Sequence, residues 1–178
     1  MENKLYTVLI ADDSLTTLKI CKNILSESYV VHTVQSAEKM FELLGRLSPD
    51  LILLDIEMPT TDGYAAIKKL KSSVATSKIP VVFFTAQSTN NGSELEGLEL
   101  GAEDYIFKPF SPALFKQRIG NHIKWAHERE QRTRFGELLA EQAAELAELS
   151  ALVQSDDKAA SITRSLTERT VLIRDELN

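Results

Sequence analysis

The sequence predicts an α/β fold, a doubly wound parallel sheet of five strands with helices on both faces and the last helix extended into a coiled-coil tail. Three observations carry this. Short apolar runs rich in β-branched residues alternate five times with segments whose apolar residues recur at helical spacing, which implies a parallel sheet and right-handed crossovers. Two of the runs, Leu51-Ile-Leu-Leu54 and Ile79-Pro-Val-Val-Phe-Phe84, are continuously apolar, as strands covered on both faces are. The first of these ends on an acid, Asp55, and open α/β sheets bind their ligands beyond the carboxyl ends of the strands.

The elements follow in order. Leu5 to Ala11 is a strand that ends on Asp12 and Asp13. Ser14 can cap a helix whose apolar positions are Leu15, Leu18, Cys21 and Leu25. Tyr29 to Val34 is a second strand, and Ser36 caps a helix to about Leu47 with Ala37, Met40, Phe41 and Leu44 on one face. The central strand runs from Leu51 to Asp55 and is stopped by Pro59, and after the turn signal Thr60-Thr-Asp-Gly63 a helix covers about Tyr64 to Lys71. The strand from Ile79 ends at Thr85. A helix from about Thr89 to Leu100 is expected to be the softest element, since Asn90, Asn91, Gly92 and Gly97 favour helix poorly. The last strand, about Tyr105 to Phe107, is terminated by Lys108-Pro109. The expected strand order is the flavodoxin-like 2-1-3-4-5, whose crevice lies between strands one and three and so brings Asp12 and Asp13 to Asp55.

From Pro112 the character changes. Ser111-Pro112 opens a helix that can pack Leu114, Phe115, Ile119 and Ile123 on the sheet and should end near Trp125. The pattern continues instead. Phe135, Leu139, Leu146, Leu149 and Val153 stand at spacings of 4, 7, 3 and 4, a coiled-coil seam interrupted by Gln142. Around Gln154-Ser-Asp-Asp-Lys158 the register is lost, so a turn or a register shift is expected there before Ile162, Leu166, Ile173 and Leu177 resume the pattern. The reading is thus two parts, residues 1–125 and a helical extension over 126–178. The tail pairs in parallel with a second copy, or folds back as a hairpin.

Composition narrows the function. Of 178 residues, 43% are hydrophobic and 26% charged, as in ordinary globular proteins, and no apolar run approaches the roughly 20 residues of a membrane span. The start, Met-Glu-Asn-Lys-Leu-Tyr, lacks a signal-peptide pattern, so a cytoplasmic location is expected, with no membrane partner. A net charge of −6 argues against non-specific nucleic-acid binding. Residues 1–111 hold 10 basic and 15 acidic side chains, against 10 and 11 in the remainder, so most of the excess negative charge falls where a cation site is suspected. The single cysteine, Cys21, excludes an internal disulfide and reads as a buried small residue. His32, His122 and His127 are expected on strand or helix surfaces.

Three clustered carboxylates need a cation, and hard oxygen ligands with room for water suit Mg²⁺. Asp12-Asp13, Asp55-x-x-Met58-Pro59-x-x-Asp62-Gly63, Thr85-Ala86 and Lys108-Pro109-Phe110 together resemble the receiver domain of two-component response regulators over about residues 4–125. The resemblance implies that Asp55 is the phosphoacceptor, supplied by the phosphohistidine of a sensor histidine kinase or phosphotransfer protein. It implies that Asp13, Asp55 and the backbone carbonyl of Glu57 hold Mg²⁺, with Asp12 acting through water. Lys108 would offset charge, the Thr85 hydroxyl would bond a phosphoryl oxygen, and Tyr105 would be the aromatic that answers Thr85, its alternative being a half-buried residue at a sheet edge. Glu57 and Gln87 are candidates for tuning hydrolysis.

Two other functions are compatible with these residues. Aspartate-based phosphohydrolases share the acid, Mg²⁺ and lysine, but carry Asp-x-Asp where this chain has Asp55-Ile-Glu57. An unphosphorylated scaffold would use the tail alone. No basic recognition helix, Gly-Gly-Asp/Glu-Glu-Phe signature or His-Asp pair follows the receiver, so neither DNA binding nor cyclic-dinucleotide chemistry is expected of these residues, and with no histidine after His127 no phosphotransfer histidine is expected in the terminal helices; the sequence leaves the output open.

Overall fold

Ten elements alternate along the chain: β1 (Thr7–Ala11), α1 (Leu15–Leu25), β2 (Val30–Val34), α2 (Ala37–Leu44), β3 (Leu51–Leu54), α3 (Gly63–Ser72), β4 (Val81–Ala86), α4 (Asn91–Glu99), β5 (Asp104–Lys108) and α5 (Pro112–Glu176). They are seen in a computed structural model that describes residues 5–59, 61–86 and 91–176. The strands form one sheet in the order β2-β1-β3-β4-β5, all neighbours parallel. The chain divides into two compact units, one up to Arg129 and one from Glu130.

The two-residue alternation of side chains along each strand sorts the core of the first unit into two layers. Leu9, Ile52, Leu54, Val81 and Phe83 face one side, where they bury Met40 of α2 and Ala66, Ile67 and Leu70 of α3. Val8, Ile10, Leu51, Leu53, Val82 and Phe84 face the other, against Leu18, Cys21 and Leu25 of α1 and Phe115, Ile119 and Ile123 of α5. Every residue of β3 is fully buried, which is why that run shows no polar alternation. Side-chain oxygens of Ser14, Ser36 and Asp62 accept from the amides of Thr17, Lys39 and Tyr64, satisfying donors that the first helical turns leave free. Below the sheet, Asp50 fixes the start of β3 to β1: its carboxylate accepts from the Thr7 amide at 2.7 Å, while its own amide donates to the Thr7 carbonyl at 2.8 Å.

Several expectations need correction. The second helix stops at Leu44, not Leu47: the Gly45 amide is shared between the Phe41 and Glu42 carbonyls and the Arg46 amide donates to Leu43, three residues back, a tightened last turn that ends the α-helical ladder. Leu114 is 62% exposed; Phe115, one position on, takes the place against the sheet. No turn interrupts α5 at Gln154–Lys158. A polar stretch breaks a hydrophobic seam, but Ser, Asp, Lys and Ala carry no backbone constraint that ends a helix.

In the second unit Phe135, Leu139, Leu146 and Leu149 are each about half exposed or more, on helical backbone throughout. The side chain of Val153 lies outside the described residues. Among the described residues no helix is long and apolar enough to cross a membrane.

Candidate functional site

Strand register brings the site together. Ala11 is level with Leu54, and the Asp55 amide donates to the Ala11 carbonyl at 2.9 Å, so the acids that follow β1 and β3 leave the sheet side by side. Ala86 is level with Lys108, which puts the lysine at the same carboxyl edge. Gly63 opens α3 hard against this turn. Its amide donates to the Ile56 carbonyl at 2.9 Å, and a Cβ there would stand 2.6 Å from the Asp55 carbonyl oxygen and 2.7 Å from Ile56 Cα. Only glycine fits that approach.

Lys108 Nζ donates to Asp12 Oδ2 at 2.5 Å and to Asp55 Oδ2 at 3.0 Å, lying 4.7 Å above the Phe84 ring. Asp12, fully buried, accepts the Ser14 amide at 2.9 Å on its other oxygen. Asp55 is 5% exposed, and its Oδ1 is buried with no hydrogen-bond partner among the described residues. Asp13 is exposed, and the three acids each offer an oxygen within 4.8 Å of the others. Burial pushes the Asp12 carboxyl above its ordinary range, against the pull of Lys108 and the Ser14 amide; the Asp55 charge adds to the rise. Burial would lower the Lys108 ammonium, but its bonds to Asp12 and Asp55 outweigh this and hold it above the usual lysine value.

Ionised, three carboxylates and one ammonium leave two negative charges uncompensated. At an effective dielectric near 20, each like-charge pair at such separations costs about 3 kcal/mol. Oxygen-only donors, a buried carboxylate oxygen lacking a partner and an acid open to water together fit a hard divalent cation such as Mg²⁺.

Thr85 is buried on β4 and borders a cavity of about 200 Å³ with Glu57, Tyr64, Glu94, Tyr105 and Phe107. The Glu57 side chain is exposed. Tyr105 is 6% exposed, so it is not the half-buried sheet-edge residue that was its alternative. Its ring leans on Phe83 at 5.1 Å, and Tyr64 leans on the same ring at 5.4 Å. Burial, then a hydrogen bond with Tyr64, pushes the Tyr105 hydroxyl well above the usual tyrosine range. Gln87 lies outside the described residues.

His122 was expected at a surface and is buried instead. Its Nε2 is 3.0 Å from Asp104 Oδ2, and its Nδ1 is 3.7 Å from Glu103 Oε2, which acts by charge at that distance. Glu103 also pairs with Arg129, and Arg118 donates to the Tyr105 carbonyl at 3.1 Å. Helical spacing places His122 one step from Ile119 and Ile123, the core stripe, but nothing local reveals that two acids before β5 will meet it.

A family model described as the response regulator receiver domain matches residues 8–120. A protein-glutamate methylesterase/protein-glutamine glutaminase of Trichodesmium erythraeum is 38% identical over 108 residues, covering 58% of this chain and 30% of that protein. Among solved structures, the receiver domain of a signal transduction histidine kinase from Syntrophus aciditrophicus is 32% identical with a TM-score of 0.62, covering 67% of this chain and 90% of that one. The BeF3-activated DrrB receiver domain of Thermotoga maritima is 25% identical with a TM-score of 0.62, covering 68% and 99%. The chain spans between about a quarter and a half of the length of the curated relatives it matches.

Proposed function

The chain belongs to the response regulator receiver domain family, and from that premise we propose that it is a Mg²⁺-dependent phosphoaspartate switch in two-component signal transduction, with Asp55 as the acceptor. The observation that carries this is the division of labour between the two buried acids. Both Asp12 oxygens are engaged, by Ser14 and Lys108, whereas among the described residues one Asp55 oxygen has no partner.

An Asp55 oxygen attacks the phosphorus of a phosphohistidine on a sensor kinase or phosphotransfer protein. The P–N bond breaks, and its electron pair returns to the imidazole nitrogen, leaving an acyl phosphate on Asp55. Asp13, Asp55 and the Glu57 carbonyl would hold Mg²⁺, and Asp12 would act through water. When bound, the ion neutralises phosphoryl charge. Lys108 supplies a fixed positive charge at the same place, and the Thr85 hydroxyl donates to a phosphoryl oxygen by moving toward it. Space released beside Thr85 is taken by Tyr105 from across the shared cavity, which changes the surface of β5 and α5.

The second unit carries that change onward as a parallel homodimer through Phe135, Leu139, Leu146, Leu149 and Val153. Exposed apolar side chains at heptad spacing on an uninterrupted helix support this reading. Incubation with acetyl phosphate and Mg²⁺, followed by intact mass measurement, tests the acceptor. The expected result is a gain of one phosphoryl group, absent from Asp55→Asn; continuous turnover of small phosphate esters would favour a phosphohydrolase instead.

A further inference from the structure

β5 is an edge strand, and an open edge leaves backbone groups to solvent or to another chain. At Tyr105 both groups are taken by side chains instead: the amide donates to Asp104 Oδ1 at 2.8 Å, and the carbonyl accepts from Arg118 of α5 at 3.1 Å. Asp104 then reaches α5 with its other oxygen, 3.5 Å from Arg118 Nη1 and 3.0 Å from His122 Nε2.

His122 is buried with an acid at each ring nitrogen. Asp104 faces Nε2, and Glu103 Oε2 stands 3.7 Å from Nδ1, which has no hydrogen-bond partner among the described residues. A neutral imidazole carries one N–H, so in either tautomer a lone pair would face a carboxylate away from water. Only the imidazolium turns an N–H to both acids. Other cations meet the acids from other sides: Arg118 at Asp104, Arg129 at Glu103, and Lys71 of α3, which donates to the Ser77 and Ile79 carbonyls and feels the Glu103 charge. Glu103 first, then Asp104, hold the imidazole above its ordinary range against burial.

We propose that His122, as an imidazolium, is a positioning residue that clasps α5 to the edge of β5 at Tyr105, and that loss of its proton opens the clasp. The clasp stands whether or not Asp55 takes phosphorus. Its use to the switch, a fixed backbone on which the Tyr105 ring turns toward Thr85, rests on the function proposed above.

The chain carries its own reporter. Trp125, the single tryptophan, meets the His122 ring edge-on at 5.4 Å, and an imidazolium at that range quenches indole emission. In the full chain, Trp125 emission should rise with pH through one transition whose midpoint lies above the ordinary histidine value of about 6.5. The transition should persist in His127→Gln and in Asp55→Asn and vanish in His122→Gln; Glu103→Gln, which leaves the imidazole in place, should lower the midpoint. Hydrogen exchange followed by NMR and corrected for its intrinsic pH dependence reads the clasp itself. Protection of the Tyr105 amide should fall through the same midpoint, by about tenfold for each pH unit that separates it from the ordinary value, and in His122→Gln it should be low and independent of pH. A wild-type midpoint at or below the ordinary value, a transition that survives in His122→Gln, or Tyr105 protection that ignores the midpoint overturns the proposal. Where His122→Gln does not fold, Glu103→Gln decides, and an unmoved midpoint there overturns it. A wild type that titrates as described but takes up no phosphoryl group upholds the clasp and counts against the phosphoacceptor reading.

Discussion

Replacing Lys108 by methionine separates two roles of one side chain, brace of the acid cluster and competitor of the metal. Lys108 joins two acids whose side chains are 0% and 7% exposed, and is itself 21% exposed. Removing one partner of a buried ion pair costs about 3–5 kcal/mol. Partial exposure of Lys108 puts this case at the low end, about 3 kcal/mol, which for a domain of this size lowers the melting temperature by roughly 10 °C. Mg²⁺ should reverse much of the loss. In the wild type a cation must share the Asp12 and Asp55 oxygens with Nζ; in Lys108→Met it does not, and a ligand at a hundred times its dissociation constant stabilises by about 2.7 kcal/mol. Calorimetric melts in EDTA and in saturating Mg²⁺ should therefore show a large gap between the two proteins that at least halves with metal. Equal stability in EDTA, or a gap indifferent to Mg²⁺, would refute the reasoning.

Three further outcomes are expected. Glu103, Asp104 and the raised imidazole of His122 make a pH-dependent clasp: the His122 contribution is complete below the ordinary histidine value and is lost as pH rises through its higher folded-state value, so His122→Gln should flatten that limb of the urea midpoint against pH. Glu103 opposes it in sign, since His122 and Arg129 outweigh burial and hold its carboxyl low; its contribution is lost only as pH falls through that depressed value. In the tail, Leu139→Asp with Leu146→Asp removes side chains worth about 1.5–3 kcal/mol each when buried, so light scattering should find a monomer that still takes up phosphate; a wild-type monomer at micromolar concentration would contradict the dimer. Glu57→Ala and Gln87→Ala should each change the half-life of the phosphoryl group, and identical decay curves would remove both from hydrolysis.

Most of the site was legible because it depends on chain ends of strands. Asp12 and Asp55 can be placed side by side from sequence alone once β1 and β3 are recognised as parallel neighbours, and Lys108 is located by the proline that stops its strand. What stayed hidden depends on contacts distant in sequence. Gly97 reads as a weak helix former, yet the Tyr105 ring, eight positions away and on another element, is what leaves no room for a side chain there. Gly63 reads as a turn residue, although the backbone of Asp55 is what excludes a side chain there. His122 is buried because Glu103 and Asp104 neutralise it, a pairing that no helical periodicity encodes. The polar stretch at 154–158 breaks the apolar seam without breaking the helix, since seam and backbone answer to different physics.

The account stands on Asp55 receiving phosphorus in a cluster that needs a divalent cation. Transfer of radiolabelled phosphate from a phosphorylated histidine kinase, measured with Mg²⁺ and with EDTA for the wild type and Asp55→Asn, tests that most directly. Label should appear on the wild type with Mg²⁺ alone. Label on Asp55→Asn, or undiminished label in EDTA, would contradict it.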